Sequence, residues 1–276
     1  MSGAERYCVF GNPIAHSKSP DIHAAFAAQT GHSVIYARSL VALDGFADAV
    51  RAFAAAGGKG ANVTVPFKLE ACKLANALTV RAQAAGAVNT LSFIDGDIHG
   101  DNTDGDGLVA DVVRNAGLDL AGKRVLLLGA GGAARGAILP LLEQRPAQLL
   151  IANRTRATAD ALVLQFAPLA GAAGDVQACE FEQADGAFDL IVNATSASLN
   201  GALPPLGASV FGSHTLALDM MYGARPTVFM DFAAAHGAHT RDGLGMLVEQ
   251  AAEAFLVWRG VRPETAGVLA ALRAAL

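Results

Sequence analysis

The first hundred residues alternate between short apolar runs and longer segments in which apolar residues recur at helical spacing. The predicted strands are Tyr7–Phe10, Val34–Leu40 and Ala61–Val65. A capping hydroxyl followed by proline predicts a helix that begins at Ser19-Pro20 and ends near Gly31. A second helix is predicted over Phe46–Ala56, and Pro66 is expected to open a third. This alternation predicts an open, mostly parallel α/β sheet.

A hairpin is predicted at the end of this region. Its strands are Ala87–Ile94 and Asp97–His99, joined by the two-residue turn Asp95-Gly96. Asp-Gly accepts the backbone conformation that such turns require.

The apolar pattern then changes to that of a doubly wound Rossmann unit. Its predicted strands are Val125–Leu128, Leu149–Ala152, Asp189–Asn193 and Leu216–Asp219. Two amphipathic helices, Gly245–Arg259 and Pro263–Leu276, are expected to follow. The fold class is therefore α/β with two domains, an open α/β domain followed by a Rossmann domain.

The first Rossmann strand leads into a glycine-rich turn that is typical of dinucleotide binding. Gly129, Gly131 and Ala134 form the pattern G-x-G-x-x-A. The first glycine bends the chain, the second lets backbone approach a pyrophosphate, and the third small residue packs the helix on the strand. A tight strand-to-helix turn without a ligand is the alternative.

The end of the next strand favours NADP over NAD. An NAD site usually has an acidic residue here, whereas this chain has Asn153, Arg154, Thr155 and Arg156. Arginine binds a 2′-phosphate through charge-assisted bidentate hydrogen bonds. The alternative is that both arginines are simply solvated.

Composition narrows the class of protein. The 276 residues are 53% hydrophobic, but no stretch is long and apolar enough to span a bilayer, and the N-terminus lacks a signal-peptide pattern. Cys8, Cys72 and Cys179 are far apart, which favours reduced thiols in the cytoplasm. The histidines are scattered, with His236 and His239 the nearest pair, so no metal site is expected. A net charge of -5 argues against a nucleic-acid partner.

Polar side chains cluster in short motifs of the N-terminal region. Ser17 and Ser19 follow the first strand in GNPIAHSKSP, where hydroxyls can donate to a carboxylate, although Ser19 is also a candidate helix cap. In NVTVPFK, Lys68 lies in the first turn of a helix, where the helix dipole disfavours a cation and a functional reason is expected. The motif GAVNTL supplies Asn89, and DNTDGDG supplies Asp104, whose alternative role is in an Asp-Gly turn.

Together these motifs resemble the shikimate dehydrogenase family. Along with GAGGAARG, NRT, NATS, DMMY and DGLGMLVEQAA, they occur in family order over essentially the whole chain. The resemblance implies NADPH-dependent reversible reduction of 3-dehydroshikimate to shikimate, a step toward aromatic amino acids. One departure is Val80, which follows Leu78-Thr79 where many family members have an acid.

The resemblance also implies roles for individual residues. Ser17 and Ser19 would bind the substrate carboxylate, and Lys68 and Asp104 would form the catalytic pair. The residues expected to contact the substrate hydroxyls or ring are Asn62, Thr64, Asn89, Tyr222 and Gln250. The residues expected to contact NADP are Gly129, Ala130, Gly131, Gly132, Ala133, Asn153, Arg154, Thr155, Met221 and Gly243.

The chemistry of ketone reduction fits the same pair of residues. Hydride addition builds negative charge on the carbonyl oxygen, so a positioned cation or acid is required. Lys68 either donates the proton itself or anchors the charge while water supplies the proton.

The resemblance further implies a domain division. Residues 1–102 would bind substrate, residues 103–240 would bind NADP, and residues 241–276 would pack on the first domain. The partner would be a small-molecule substrate, with no nucleic acid and no membrane, and the protein would be a monomer or homodimer. A quinate or dual quinate/shikimate dehydrogenase is the nearer alternative, and a non-catalytic nicotinamide-binding regulator is the other.

Overall fold

The computed structural model describes residues 3–171 and 174–276, which divide into two units. The first unit comprises the chain up to Gly107 together with Val248–Leu272. The second comprises Leu108–Leu247 with Arg273–Leu276. The C-terminal segment thus belongs mainly to the first unit, as the resemblance implied.

The first unit is built on a six-stranded sheet with the strand order β2-β1-β3-β5-β6-β4. Its strands are β1 (Glu5–Gly11), β2 (Val34–Leu40), β3 (Gly58–Val63), β4 (Ala77–Leu78), β5 (Thr90–Ile94) and β6 (Asp97–Asp101). Its helices up to that point are α1 (Ser19–Thr30), α2 (Phe46–Ala55), α3 (Lys68–Leu74) and α4 (Val80–Ala85). Helix α5 (Asp104–Ala110) follows β6 and continues into the second unit.

The sheet is mostly parallel, as predicted, because β1 pairs in parallel with both β2 and β3, and β4 pairs in parallel with β6. Strand β5 runs in the opposite direction, antiparallel to both β3 and β6. The hairpin is confirmed: Asp95 and Gly96 both have positive φ, at 52° and 91°, which a tight two-residue turn requires.

Two predicted helix starts were wrong in detail. Ser19 is the first residue of α1 and not its cap; Lys18 occupies the cap position, and its side chain makes no capping hydrogen bond. Helix α3 begins at Lys68, two residues later than predicted from Pro66. Lys68 therefore lies at the first position of its helix.

The second unit has an entirely parallel six-stranded sheet with the order β12-β11-β10-β7-β8-β9. Its strands are β7 (Arg124–Leu128), β8 (Gln148–Ala152), β9 (Asp175–Cys179), β10 (Leu190–Asn193), β11 (Leu216–Asp219) and β12 (His239–Arg241). Helices α6 (Gly132–Glu143), α7 (Arg156–Phe166) and α8 (Val228–Ala235) connect them. This is the strand order of a Rossmann fold, and the order reverses between β7 and β10.

The chain ends in two helices, α9 (Leu244–Arg259) and α10 (Ala266–Ala274). Helix α9 enters the first unit at Val248. Strands β4, β9 and β12 and helices α4, α5, α7 and α8 were not predicted from the sequence. No helix among the described residues is long and apolar enough to cross a membrane.

Candidate active site

The polar motifs of the first unit meet where β1 and β3 end side by side. In open α/β sheets, ligands bind in the crevice outside the carboxyl ends of the strands. The two loops are joined by a hydrogen bond from the Asn12 amide to the carbonyl of Val65, 3.1 Å long. The Asn12 side chain also donates to the Val41 carbonyl at 2.8 Å, which ties in the loop after β2.

Ser17 and Ser19 lie together in the loop that enters α1. The Ser17 hydroxyl donates to the Ser19 hydroxyl at 3.2 Å and accepts from the Ser19 amide at 3.3 Å. Ser19 is buried and Ser17 is half-buried. The two hydroxyls therefore form one compact donor pair.

Lys68 and Asp104 form an ion pair, although they lie at the starts of different helices. Lys68 Nζ is 2.6 Å from Asp104 Oδ2, and the side chains are 31% and 17% exposed. The other carboxylate oxygen, Oδ1, accepts from Asn89 Nδ2 at 2.8 Å. The carboxylate is thus fixed on both oxygens while the ammonium keeps donors for a further partner.

Gln250 joins this group from the distant helix α9. Its side-chain oxygen accepts from Asn89 Nδ2 at 3.3 Å, and its carbonyl accepts from the Thr103 hydroxyl at 3.0 Å. Gly107 allows the approach, because a Cβ there would lie 2.6 Å from the Gln250 backbone nitrogen. Gln250 and Asp104 therefore both accept hydrogen bonds from the same amide nitrogen of Asn89.

A chain of hydrogen bonds, which the sequence did not predict, continues from Asn89 to Asn62. The Thr90 hydroxyl donates to Asn89 Oδ1 at 2.8 Å, and Asn62 Nδ2 donates to the Thr90 oxygen at 3.2 Å. The hydroxyl of Tyr36 then donates to Asn62 Oδ1 at 2.7 Å. Burial raises the pKa of Tyr36 well above its usual value, so this phenol is a neutral donor.

The remaining substrate residue predicted in this unit, Thr64, lies immediately after β3 and is half-buried. Its amide donates to the Phe10 carbonyl at 2.9 Å, which holds it between the two strand ends. Its methyl group packs against Gly11, where a Cβ would lie only 2.6 Å from Thr64 Cγ2. Glycine at the end of β1 therefore leaves the room that the Thr64 side chain needs.

An ionic network holds α9 against the segment that carries Asp104. Arg81 Nε is 2.7 Å from Asp101 Oδ1, and its Nη2 is 2.7 Å from Asp101 Oδ2. Arg81 Nη1 is 3.1 Å from Glu253 Oε1 on α9. Arg262 extends the network, pairing with Glu253 at 2.5 Å and with Glu249 at 2.6 Å.

Replacing Arg81 with leucine is expected to destabilise the protein by about 3 kcal/mol at neutral pH, the lower end of the range for breaking a buried ion pair. Asp101 and Glu253 would lose their shared cation while remaining largely buried, at 8% and 18% exposure. Chemical denaturation measures the difference in free energy of unfolding between wild type and Arg81→Leu. Arg51→Leu is the control, because its pair with Asp48 is 62% and 93% exposed and contributes little.

The loss of stability caused by Arg81→Leu should also depend on pH. Burial alone would raise the pKa of Asp101, but hydrogen bonds from Arg81 and Thr79 outweigh it, so the pKa is lowered. Because the pKa of Asp101 is lower in the folded than in the unfolded protein, its ionised carboxylate stabilises the fold at pH values above the unfolded-state pKa. This stabilisation is lost as the pH falls through the folded-state pKa. The difference between wild type and Arg81→Leu should therefore shrink below about pH 4. A constant difference down to about pH 2 would contradict this assignment.

In the second unit, the glycine-rich turn lines a groove of about 830 Å³. Gly129 has φ +101°, and its amide donates to the Ala152 carbonyl at 2.8 Å. Helix α6 starts at Gly132, and its first backbone bond runs from the Arg135 amide to the Gly131 carbonyl at 2.9 Å. The free amides of a first helical turn form an anion site.

The same groove is lined by residues from the end of β8, including Asn153 and Arg154. The Asn153 side chain donates to the Thr155 carbonyl at 2.9 Å, which shapes this turn. Thr155 caps α7 by position, without a side-chain hydrogen bond. Glu180 and Glu182 also line the groove and were not singled out from the sequence.

Met221, Tyr222 and Gly243 lie near the ends of β11 and β12 in the second unit. The Gly243 amide donates to the Met221 carbonyl at 2.9 Å, and the Met221 amide donates to Asp219 Oδ1 at 3.0 Å. Burial, together with the Asp242 charge, raises the pKa of Tyr222, so its phenol is neutral.

The residues of 3–171 and 174–276 contain no group of three or more His, Cys, Asp or Glu side chains placed to hold a metal ion.

Three family models match successive parts of the chain. They describe the shikimate dehydrogenase substrate binding domain over residues 9–91, shikimate / quinate 5-dehydrogenase over 111–200, and the shikimate 5'-dehydrogenase C-terminal domain over 243–273. The chain is 61% identical to the shikimate dehydrogenase (NADP(+)) of Herminiimonas arsenicoxydans, covering 99% of this chain and 98% of that protein.

Two solved structures are similar to this chain over nearly its whole length. An Ael1 enzyme from Pseudomonas putida is 47% identical, with a TM-score of 0.91 and coverage of 98% of both chains. Shikimate 5-dehydrogenase from Thermus thermophilus, in complex with NADP(H) and shikimate, is 33% identical with a TM-score of 0.86, covering 99% of this chain and 100% of that one.

Proposed function

The chain belongs to the shikimate dehydrogenase family, and we propose that it catalyses the NADPH-dependent reversible reduction of 3-dehydroshikimate to shikimate. The observation that carries the proposal is the Lys68–Asp104 ion pair at 2.6 Å, linked through Asn89 to Gln250. This arrangement combines a positioned proton donor with several neutral hydrogen-bonding groups, which suits a polyhydroxylated ketone.

The substrate would bind in the first unit through groups of matching chemistry. Ser17 and Ser19 would donate to its carboxylate. Its hydroxyls and ring would contact Asn62, Thr64, Asn89 and Gln250. Amide side chains both donate and accept, so they can bind hydroxyls in either orientation.

Lys68 would act on the carbonyl oxygen as the reaction proceeds. NADPH supplies the hydride that reduces the carbon, and one proton must reach the oxygen. Lys68 Nζ stabilises the charge that develops there, either by donating its proton or by orienting a water molecule. Asp104 accepts a hydrogen bond from Lys68 and fixes its ammonium group.

The second unit would bind NADP, and its residues fit that cofactor. No atom lies within 4 Å of a Cβ built on Gly131 or Gly132, so backbone is open to a pyrophosphate. Gly129, Ala130, Gly131, Gly132 and Ala133 would bind the phosphates. Asn153, Arg154 and Thr155 would bind the 2′-phosphate, and Met221 and Gly243 would border the nicotinamide.

One assay tests this function against its nearest alternative. Oxidation of shikimate with NADP⁺ is compared with oxidation of quinate with NAD⁺, following reduced nicotinamide by absorbance. We expect kcat/KM to favour NADP⁺ over NAD⁺ strongly, because Arg154 stands where an NAD site has an acid. We also expect shikimate to be preferred to quinate, because quinate carries an additional hydroxyl on the carbon that bears the carboxylate, and that carbon is tetrahedral where shikimate's is planar. Comparable kcat/KM values for shikimate and quinate would favour a dual-specificity enzyme.

Ser17→Ala and Ser19→Ala are each expected to raise KM for shikimate roughly tenfold, the size of a hydrogen bond to a charged group. The contact is the same in the ground and transition states, so kcat should change much less. Steady-state kinetics provide the measurement, with the exposed Ser33→Ala as the control. A fall in kcat with an unchanged KM would contradict the carboxylate assignment.

We further propose that the enzyme works in the cytoplasm as a monomer or homodimer, without a nucleic-acid or membrane partner. Cysteine usage supports the location, since Cys8, Cys72 and Cys179 are all free thiols.

A further inference from the structure

Arg38, which lies on β2 and belongs to none of the sequence motifs, holds the backbone of the loop that carries Ser17. Its Nε is 2.9 Å and its Nη2 is 2.6 Å from the Ser17 carbonyl oxygen. Two donors of one guanidinium therefore converge on a single acceptor, and hydrogen bonds from a charged donor are stronger than neutral ones. The loop is fixed at the residue whose hydroxyl contacts Ser19.

The positive charge of Arg38 is only weakly compensated. The carboxylate paired with it is Asp21, at 3.6 Å from Nη2, and the two side chains are 38% and 64% exposed. A long, exposed pair of this kind contributes little. Of these two partners, the Ser17 carbonyl oxygen lies closer to the guanidinium than the Asp21 carboxylate does.

The peptide group that accepts these bonds joins Ser17 to Lys18, so its N–H lies between the two serines in the chain. In a trans peptide the C=O and N–H bonds point in opposite directions. Hydrogen bonding at the Ser17 oxygen polarises the group and makes the N–H of Lys18 a better donor. Helix α1 begins at the next residue, Ser19. The positive end of the helix dipole also favours a negative charge near this residue.

We propose that Arg38 is a positioning residue that gives this site its preference for an anionic carboxylate over a neutral group of similar shape. The proposal rests on the proposed function, in which Ser17 and Ser19 bind the substrate carboxylate. Two uncharged hydroxyls can also donate to a neutral ester, so the serines alone discriminate weakly. Arg38 adds the positive charge and holds the hydroxyls in position.

The test compares shikimate with its neutral methyl ester in wild type and Arg38→Gln. Dissociation constants are measured by calorimetry, and kcat and KM by assay. Arg38→Gln is expected to weaken shikimate binding roughly fivefold, the size of one net hydrogen bond. Binding of the ester, kcat for shikimate and KM for NADP⁺ should change by less than about twofold, because none depends on the carboxylate charge.

Two further variants separate charge from shape. Arg38→Lys keeps a positive charge without the two in-plane donors, so it should recover part of the preference for the acid. Arg51→Gln removes the same charge from the same unit, at a residue whose partner Asp48 is also 3.6 Å away. This control should keep the wild-type ratio of acid to ester binding.

Ionic strength gives a second measurement. Because salt screens exposed charges, shikimate binding by wild type should weaken with added salt more steeply than binding by Arg38→Gln. Equal weakening of acid and ester binding in Arg38→Gln, or no weakening of either, would overturn the proposal. Failure of the wild type to oxidise shikimate would instead overturn the proposed function, and the calorimetric comparison would still decide the role of Arg38.

Discussion

Replacing Lys68 with alanine is expected to lower kcat for shikimate oxidation by a factor of roughly 10²–10⁴, the usual contribution of a positioned acid or electrostatic group. Lys68 interacts most strongly with charge on the reacting oxygen, which develops only as hydride transfer proceeds. KM should therefore change far less than kcat. Steady-state kinetics in both directions, at saturating cofactor, provide the measurement.

The matched control is Lys73→Ala, which removes an exposed lysine from the same helix α3 and should leave kcat unchanged. Lys68→Arg distinguishes the two roles of the lysine. Arginine keeps the positive charge but does not release its proton. Partial recovery of kcat in Lys68→Arg would favour an electrostatic anchor, whereas no recovery would favour direct proton donation.

Near-normal kcat in Lys68→Ala would remove this residue from the mechanism. Asp104 would then be the remaining candidate of the pair, and Asp104→Asn would become the informative variant. Asn89 already donates to Asp104 Oδ1 at 2.8 Å, so an amide at this position would also disturb that contact.

The sequence predicted those elements whose signal is local. The Rossmann strands β7 and β8 are apolar runs bounded by glycine and polar residues, and the hairpin turn carries its own dipeptide signature. Strands β4 and β12 contain only two and three residues, too few to show a period. The pairing of β5 with β3 was not predicted either, because a run of apolar residues does not reveal which strand it pairs with.

In the candidate site, too, the sequence predicted residues that lie in recognisable motifs but not those defined by contacts between distant segments. Lys68 and Asp104 were singled out from motifs 36 residues apart, and the structure places them in contact. Tyr36 and Arg38 lie in no such motif, and each bonds to a residue that is distant in sequence, Asn62 and Ser17 respectively. Contacts of that kind depend on the pairing of β2 with β1, which the sequence of β2 alone does not specify.

Replacing Arg154 with alanine is expected to weaken NADP⁺ binding by roughly 10- to 100-fold, from the ~1.5–3 kcal/mol of hydrogen bonds to a charged group. NAD⁺ binding should barely change, because it lacks the 2′-phosphate. Arg154 lines the groove together with Glu180 and Glu182, whose charges would repel a phosphate. Removing the guanidinium would therefore leave the two glutamate charges in the groove unopposed by Arg154. Their repulsion of the 2′-phosphate would further lower the affinity for NADP⁺, but not that for NAD⁺.

The control for Arg154 is Arg156→Ala, two residues along the chain. Arg156 is half-exposed and pairs with Asp160 at 3.7 Å within α7, so its removal should change the affinity for NADP⁺ much less. Dissociation constants for NADP⁺ and NAD⁺, measured by calorimetry for both variants, give the comparison without relying on turnover. Equal losses for the two cofactors in Arg154→Ala would show that this residue supports the local fold and does not bind the 2′-phosphate.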